Sequence, residues 1–248
     1  MVDREFLSDE NEDKVIATIF STPLVAKGLS WIPLIQLLAW PLMGWLAKRR
    51  MPSRSWPESL GIGALTSSAA LAAEWGHNLA HAAAARLVGK PMDRIRVIMG
   101  MPRVVYDEIN DLSVAPREHI LRALGGPLFN LILLPLALLF KHSTKPDTTA
   151  REVANTAVAA NAFIPAVGLL PIPGLDGGPI LKWSLVERGQ TVSEADLTVR
   201  KVNGAVGAAL TIGGAAAVKK RRRLAAGLLL LLGGTALGYA SGLIKEQG

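Results

Sequence analysis

The sequence predicts an all-α, polytopic transmembrane helix bundle of 5–6 spans with a small irregular or β-hairpin insertion. Three observations lead there. Half of the 248 residues are hydrophobic, 19% are charged, and mean hydropathy is +0.32. The apolar residues gather in blocks near the roughly 20 residues that cross a bilayer, not at the spacing of a soluble core. Tryptophans and short Lys/Arg runs stand at the block ends, where interfacial anchors belong. A disordered chain is excluded, because it needs few apolar residues and high net charge. With no Cys, a disulfide scaffold and thiolate-held metals are excluded as well.

Residues 1–28 read as a polar or interfacial segment. An acidic stretch precedes a short apolar run, Val15 to Ala26, that cannot cross a bilayer. A cleavable signal peptide would carry basic residues first, so that reading is rejected. Residues 29–58 hold the first span and its loop: Leu29 to Ala47, bracketed by Trp31 and Trp45 and stopped by Lys48, Arg49 and Arg50.

Residues 59–183 form the core of the prediction. Spans are expected over Ser59–Val88, His119–Phe140 and Val153–Leu170. Between the first two, the alternation Arg94-Ile95-Arg96-Val97-Ile98 predicts a hairpin or edge strand. After the third, the stretch Pro171-Ile172-Pro173-Gly174-Leu175-Asp176-Gly177-Gly178-Pro179 cannot continue a helix. Unwound backbone at membrane depth survives only where it is buried in protein or lines a wet cavity, so a site is expected there. Residues 184–248 supply a polar helix over Ser184–Lys201 and two apolar runs, Gly204–Val218 and Leu224–Ile244. The first of these is short for a crossing. Five basic residues separate them, and small residues in both favour close helix packing.

The net charge of +7 and pI near 9.9 do not point to nucleic acid, because the basic residues flank the spans. They predict contact with interfacial and anionic lipid. The expected partners are the membrane and a membrane-embedded peptide or protein, in a multi-pass protein of the cell membrane.

Chemistry concentrates in the second span. His77 and His81 are one helical turn apart, so both imidazoles project from one face and can reach a single metal ion. The competing reading is a pair of polar residues bonded to neighbouring helices. Ionisable groups inside a span are costly and usually functional, which favours the metal. Asp176, carried by the Pro/Gly break, is the natural third ligand; as a turn or cap residue it would be purely structural. Two imidazoles and a carboxylate leave a fourth tetrahedral position open, the pattern of catalytic zinc. Glu74 shares the histidine stripe and is either a substitute base, a further ligand, or a carboxylate paired with a neighbouring cation.

Three stretches resemble the site-2 protease family of intramembrane zinc metalloproteases: His77-Asn78-Leu79-Ala80-His81, Gly125-Gly126-Pro127-Leu128-Phe129-Asn130, and Leu170 through Gly178. The resemblance extends from about Leu71 to Trp183, and the third stretch is its most specific part. It implies one zinc ion held by His77, His81 and Asp176, and cleavage of membrane-embedded peptides. Asn130, Asn161 and Gly168 are the candidate substrate-positioning residues, Asn130 and Asn161 being read first as amides that hydrogen-bond one span to another. The chain departs from the family pattern twice. Asn78 stands where the family places the catalytic Glu, and an amide cannot abstract a proton near neutral pH. Gly168 stands where the family usually has Asn, and Asn161, two turns earlier, is the candidate replacement amide. Proteolysis is therefore expected to be weak or lost. The alternatives are a metal-binding protein that holds a membrane partner without cutting it and, ranked last, a transporter.

Overall fold

The computed structural model describes residues 13–245 and divides into two compact units. One takes the chain up to Asp107 together with Gly125–Ala166; the other takes Glu108–Leu124 and the chain from Val167 onward.

The first unit carries a four-stranded sheet in the order β1-β2-β3-β4: β1 (Asp13–Ile19), β2 (Thr22–Lys27), β3 (Arg94–Ile98) and β4 (Met101–Val105). The outer pairs are antiparallel and β2–β3 is parallel. The expected hairpin near residue 95 is therefore real, and it is joined by a second one. The run 15–26 is rich in β-branched residues and pairs as strands, and Phe20 and Ser21 turn it with φ of 49° and 62°. Alternate residues Leu24, Ala26, Ile95 and Val97 pack with Ala82, Ala85 and Met92, seating the sheet on the end of helix α2 (Trp56–Leu87). Helix α1 (Leu34–Arg50) lies along the other end of α2, close enough that a Cβ on Gly63 would stand 2.5 Å from backbone atoms of Trp40 and Gly44.

Helices α3 (Pro116–Ser143) and α4 (Thr149–Gly168) follow. The remaining helices are α5 (Gly177–Glu187), α6 (Val192–Lys219) and α7 (Arg223–Ser241). Within the second unit α6 and α7 run antiparallel, packed through Gly207 and Gly214 of α6 against Leu237, Gly233 and Leu230 of α7. Lys182 of α5 is buried, with its ammonium donating to Asn110 and paired with Asp196 at 2.6 Å.

Among the described residues, three helices are long and apolar enough to cross a membrane: α3, α6 and α7. The expectation of 5–6 spans is corrected to these three. Helix α1 has only 17 residues, α2 carries Glu58, Glu74 and Arg86 with its histidines, and α4 is rich in Ala and Asn, not Leu and Ile. The run Gly204–Val218, too short alone, is the second half of the 28-residue α6.

Candidate metal centre

Helix α2 starts cleanly. Ser55 accepts a hydrogen bond from Glu58 N at 3.3 Å, and Pro57 occupies the first turn, where its missing N–H costs nothing. From there the helix runs 32 residues, and its period places Glu74, His77, Asn78 and His81 on adjoining stripes.

His77 and His81 are both buried, their rings edge to face with centroids 4.7 Å apart and Nε2 atoms 3.1 Å apart. Two nitrogens bound tetrahedrally to one zinc at 2.0–2.1 Å would stand about 3.3 Å apart, so the pair already has a ligand spacing.

The hydrogen-bond network fixes which His77 nitrogen is available. Asn161 donates through Nδ2 to the carbonyl of Ala157 at 2.9 Å, which leaves its Oδ1 as an acceptor. Asn130 donates to that Oδ1 at 2.9 Å, so Asn130 Oδ1 in turn accepts from His77 Nδ1 at 2.7 Å. The chain of donors thus runs from imidazole to helix backbone and leaves the His77 Nε2 lone pair facing His81. Asn130 and Asn161 are buried, and their amides are committed to this chain.

Gly126 closes the approach. A Cβ there would stand 2.4 Å from His81 Nε2 and 2.6 Å from His77 Nε2, so only glycine lets α3 pass this close. Its N–H reaches His81 Nδ1 at 3.3 Å, a long contact. With Nδ1 accepting, the His81 proton lies on Nε2, toward His77; holding a metal through His81 Nε2 requires the other tautomer.

Asn78 is buried beside the pair and donates through Nδ2 to the Glu74 carbonyl at 3.0 Å and the Glu74 carboxylate at 3.2 Å. Two residues that sequence reading treated separately, the base position and its candidate substitute, are thus one hydrogen-bonded pair.

In the second unit, the Pro/Gly break is a turn with a defined shape. Leu175 N bonds Ile172 O across Pro173-Gly174, and Gly174 has φ of 84°, the type II arrangement that only a glycine enters without strain. Asn203 of α6 donates to the carbonyl of Pro171 at 2.8 Å and pins the break in place. Nothing in the sequence flagged Asn203 beyond its being a lone amide in an apolar helix. Asp176 follows at the N-cap position of α5, and its side chain makes no capping hydrogen bond. A Cβ on Gly168 would stand 2.9 Å from Asp176 Oδ2, so the absent side chain makes room for the carboxylate.

The structure therefore brings together Glu74, His77, Asn78, His81, Asn130 and Asn161 in one unit, and Gly168 with Asp176 in the other. His77, His81 and Asp176 are a residue group of the kind that could hold a metal ion.

No protein-family model and no curated protein matches the chain. Among solved structures it is similar to the site-2 protease from Methanocaldococcus jannaschii, with a TM-score of 0.52 at 13% identity over 93% of this chain and 94% of that one. The likeness spans nearly the full length of both, so the chain has a site-2-protease-like fold. That fold, with three apolar helices of crossing length, marks a membrane protein.

Proposed function

We propose that this chain is a site-2-protease-like membrane protein, seated in the cell membrane, that holds one zinc ion through His77, His81 and Asp176 and cleaves membrane-embedded peptides weakly or not at all. The observation that carries the metal reading is the 3.1 Å Nε2 spacing of two buried histidines, one of them locked by Asn130. The donor chemistry fits: two imidazoles and a carboxylate are a zinc set with an open fourth position. A zinc ion bound there would supply Lewis acidity and bring the pKa of its water down to about 7.

The chain's own residues supply the rest. Asn130 orients His77 and raises the basicity of its Nε2. Asn78 can orient a neighbouring group through its amide but accepts no proton, and its donor end is already held by Glu74. A missing general base costs about 10²–10⁴ in rate, which is the expected deficit. The Asn78–Glu74 bond also favours a second reading, in which the same metal site serves to hold a membrane partner without cutting it.

The test places wild type and Asn78→Glu in vesicles with a model transmembrane peptide, metal content being measured on both. Both should carry one zinc, and the variant should cut about 10²–10⁴ times faster. A wild type that already cuts as fast as Asn78→Glu contradicts the proposal.

A further inference from the structure

A second site lies away from the histidines, at the turn joining α6 to α7. Five consecutive cations occupy it, Lys219, Lys220, Arg221, Arg222 and Arg223, all exposed. From Leu197 to Lys245 the sequence contains no Asp or Glu. Among the described residues none of the five forms an ion pair. A basic run at a membrane interface is ordinarily a diffuse anchor. This one borders a groove of about 630 Å³ lined by Val218, Arg221, Arg223, Ala226, Gly227 and Leu230. That volume is in the range that holds a specific small ligand, roughly 300–1,000 Å³.

The lining has two chemistries in a fixed order. Arg221 lies in the turn, held at φ of 55°, and Arg223 is the first residue of α7. Val218 ends α6, while Ala226, Gly227 and Leu230 step along the first two turns of α7. Beyond them Leu231, 67% exposed, continues the apolar surface along a helix long enough to span a bilayer. Paired guanidiniums bind phosphate through charge-assisted, often bidentate hydrogen bonds. An apolar trough starting beside such a pair and running along a membrane-crossing helix suits an acyl chain.

We propose that the α6–α7 turn is a built site for one anionic phospholipid, with Arg221 and Arg223 gripping the headgroup phosphate and the Val218–Ala226–Gly227–Leu230 trough taking the first part of an acyl chain. The occupant is a lipid and not a free phosphate, because four of the six lining residues are apolar and three of these belong to α7, a helix long and apolar enough to span a bilayer. Neither the zinc ligands nor Asn78 takes part, so this site stands or falls independently of the function proposed above.

The experiment is native mass spectrometry of the full-length, detergent-purified chain with dioleoyl phosphatidylglycerol, dioleoyl phosphatidylcholine or inorganic phosphate. The expected result is one retained phosphatidylglycerol, held at least about tenfold more tightly than phosphatidylcholine and not displaced by phosphate. Arg221→Ala/Arg223→Ala should abolish that preference, while Lys219→Ala/Lys220→Ala, which removes the same charge from the same turn, should leave most of it. Gly227→Leu fills the trough without touching the cations, since a Cβ at Gly227 meets nothing within 4 Å; it should loosen the lipid with the turn charge intact. Equal binding of the two lipids, full competition by phosphate, or equal losses in the arginine and lysine double variants would each overturn the site. The first would leave no recognition of anionic lipid at all, the second an inorganic anion site, and the third a diffuse basic anchor.

Discussion

Two adjoining stripes of α2 are built to different standards. On one, His77 and His81 face each other at 3.1 Å, backed by a hydrogen-bond chain that ends on a helix carbonyl and by a glycine that nothing larger could replace. On the other, Asn78 and Glu74 satisfy one another within the helix. The difference teaches that ligand geometry and acid–base chemistry are separable in this fold. Metal-holding groups must be fixed by partners on other helices, and that scaffolding is present here. The position after the first histidine holds an amide, and Glu74, one turn back along the helix, accepts from it.

This contrast can be broken in a definite order. The largest effect is expected for His81→Ala, which removes a ligand: zinc affinity of the purified protein, measured by competition with a chelator, should fall by more than the about 10²-fold upper range for a lost outer partner. Unchanged zinc content in that variant would mean that the ion, if present, sits elsewhere. Next comes Asn130→Leu. It leaves both imidazoles in place but strips His77 of its acceptor, and affinity should drop about 10–100-fold while the variant still folds. An affinity equal to wild type would show that the asparagine chain merely packs α3. The smallest effect belongs to Glu74→Gln. Its oxygen still accepts from Asn78, so zinc content should stay at the wild-type level; a clear loss of metal would promote Glu74 from partner of Asn78 to ligand.

How much of this was legible beforehand depends on where the information sits. His77, His81 and Asp176 could be picked out because spacing along a helix and a Pro/Gly break are local properties of the sequence. The role of Asn130 was half visible, since a lone amide in an apolar helix must bond to something; that the something is His77 is a tertiary fact. Gly168 was opaque, because a missing side chain says nothing about which neighbour fills its space, and that neighbour proves to be the Asp176 carboxylate. The sheet was half read. A short apolar run such as 15–26 carries the same composition whether it lies at an interface or pairs as strands, and only its pairing with β3 decides. The span count was overestimated because α1 falls short in length and α2 carries Glu58, Glu74 and Arg86 along its apolar run.

The central claim, that two imidazoles and a carboxylate share one ion, is tested most directly by zinc K-edge X-ray absorption on the intact, detergent-purified chain. The account predicts about one zinc per chain in a nitrogen and oxygen shell at about 2.0–2.1 Å, with the outer-shell scattering of two imidazoles falling to one in His77→Ala. A chain that retains no zinc, or a zinc spectrum without imidazole scattering, would contradict it.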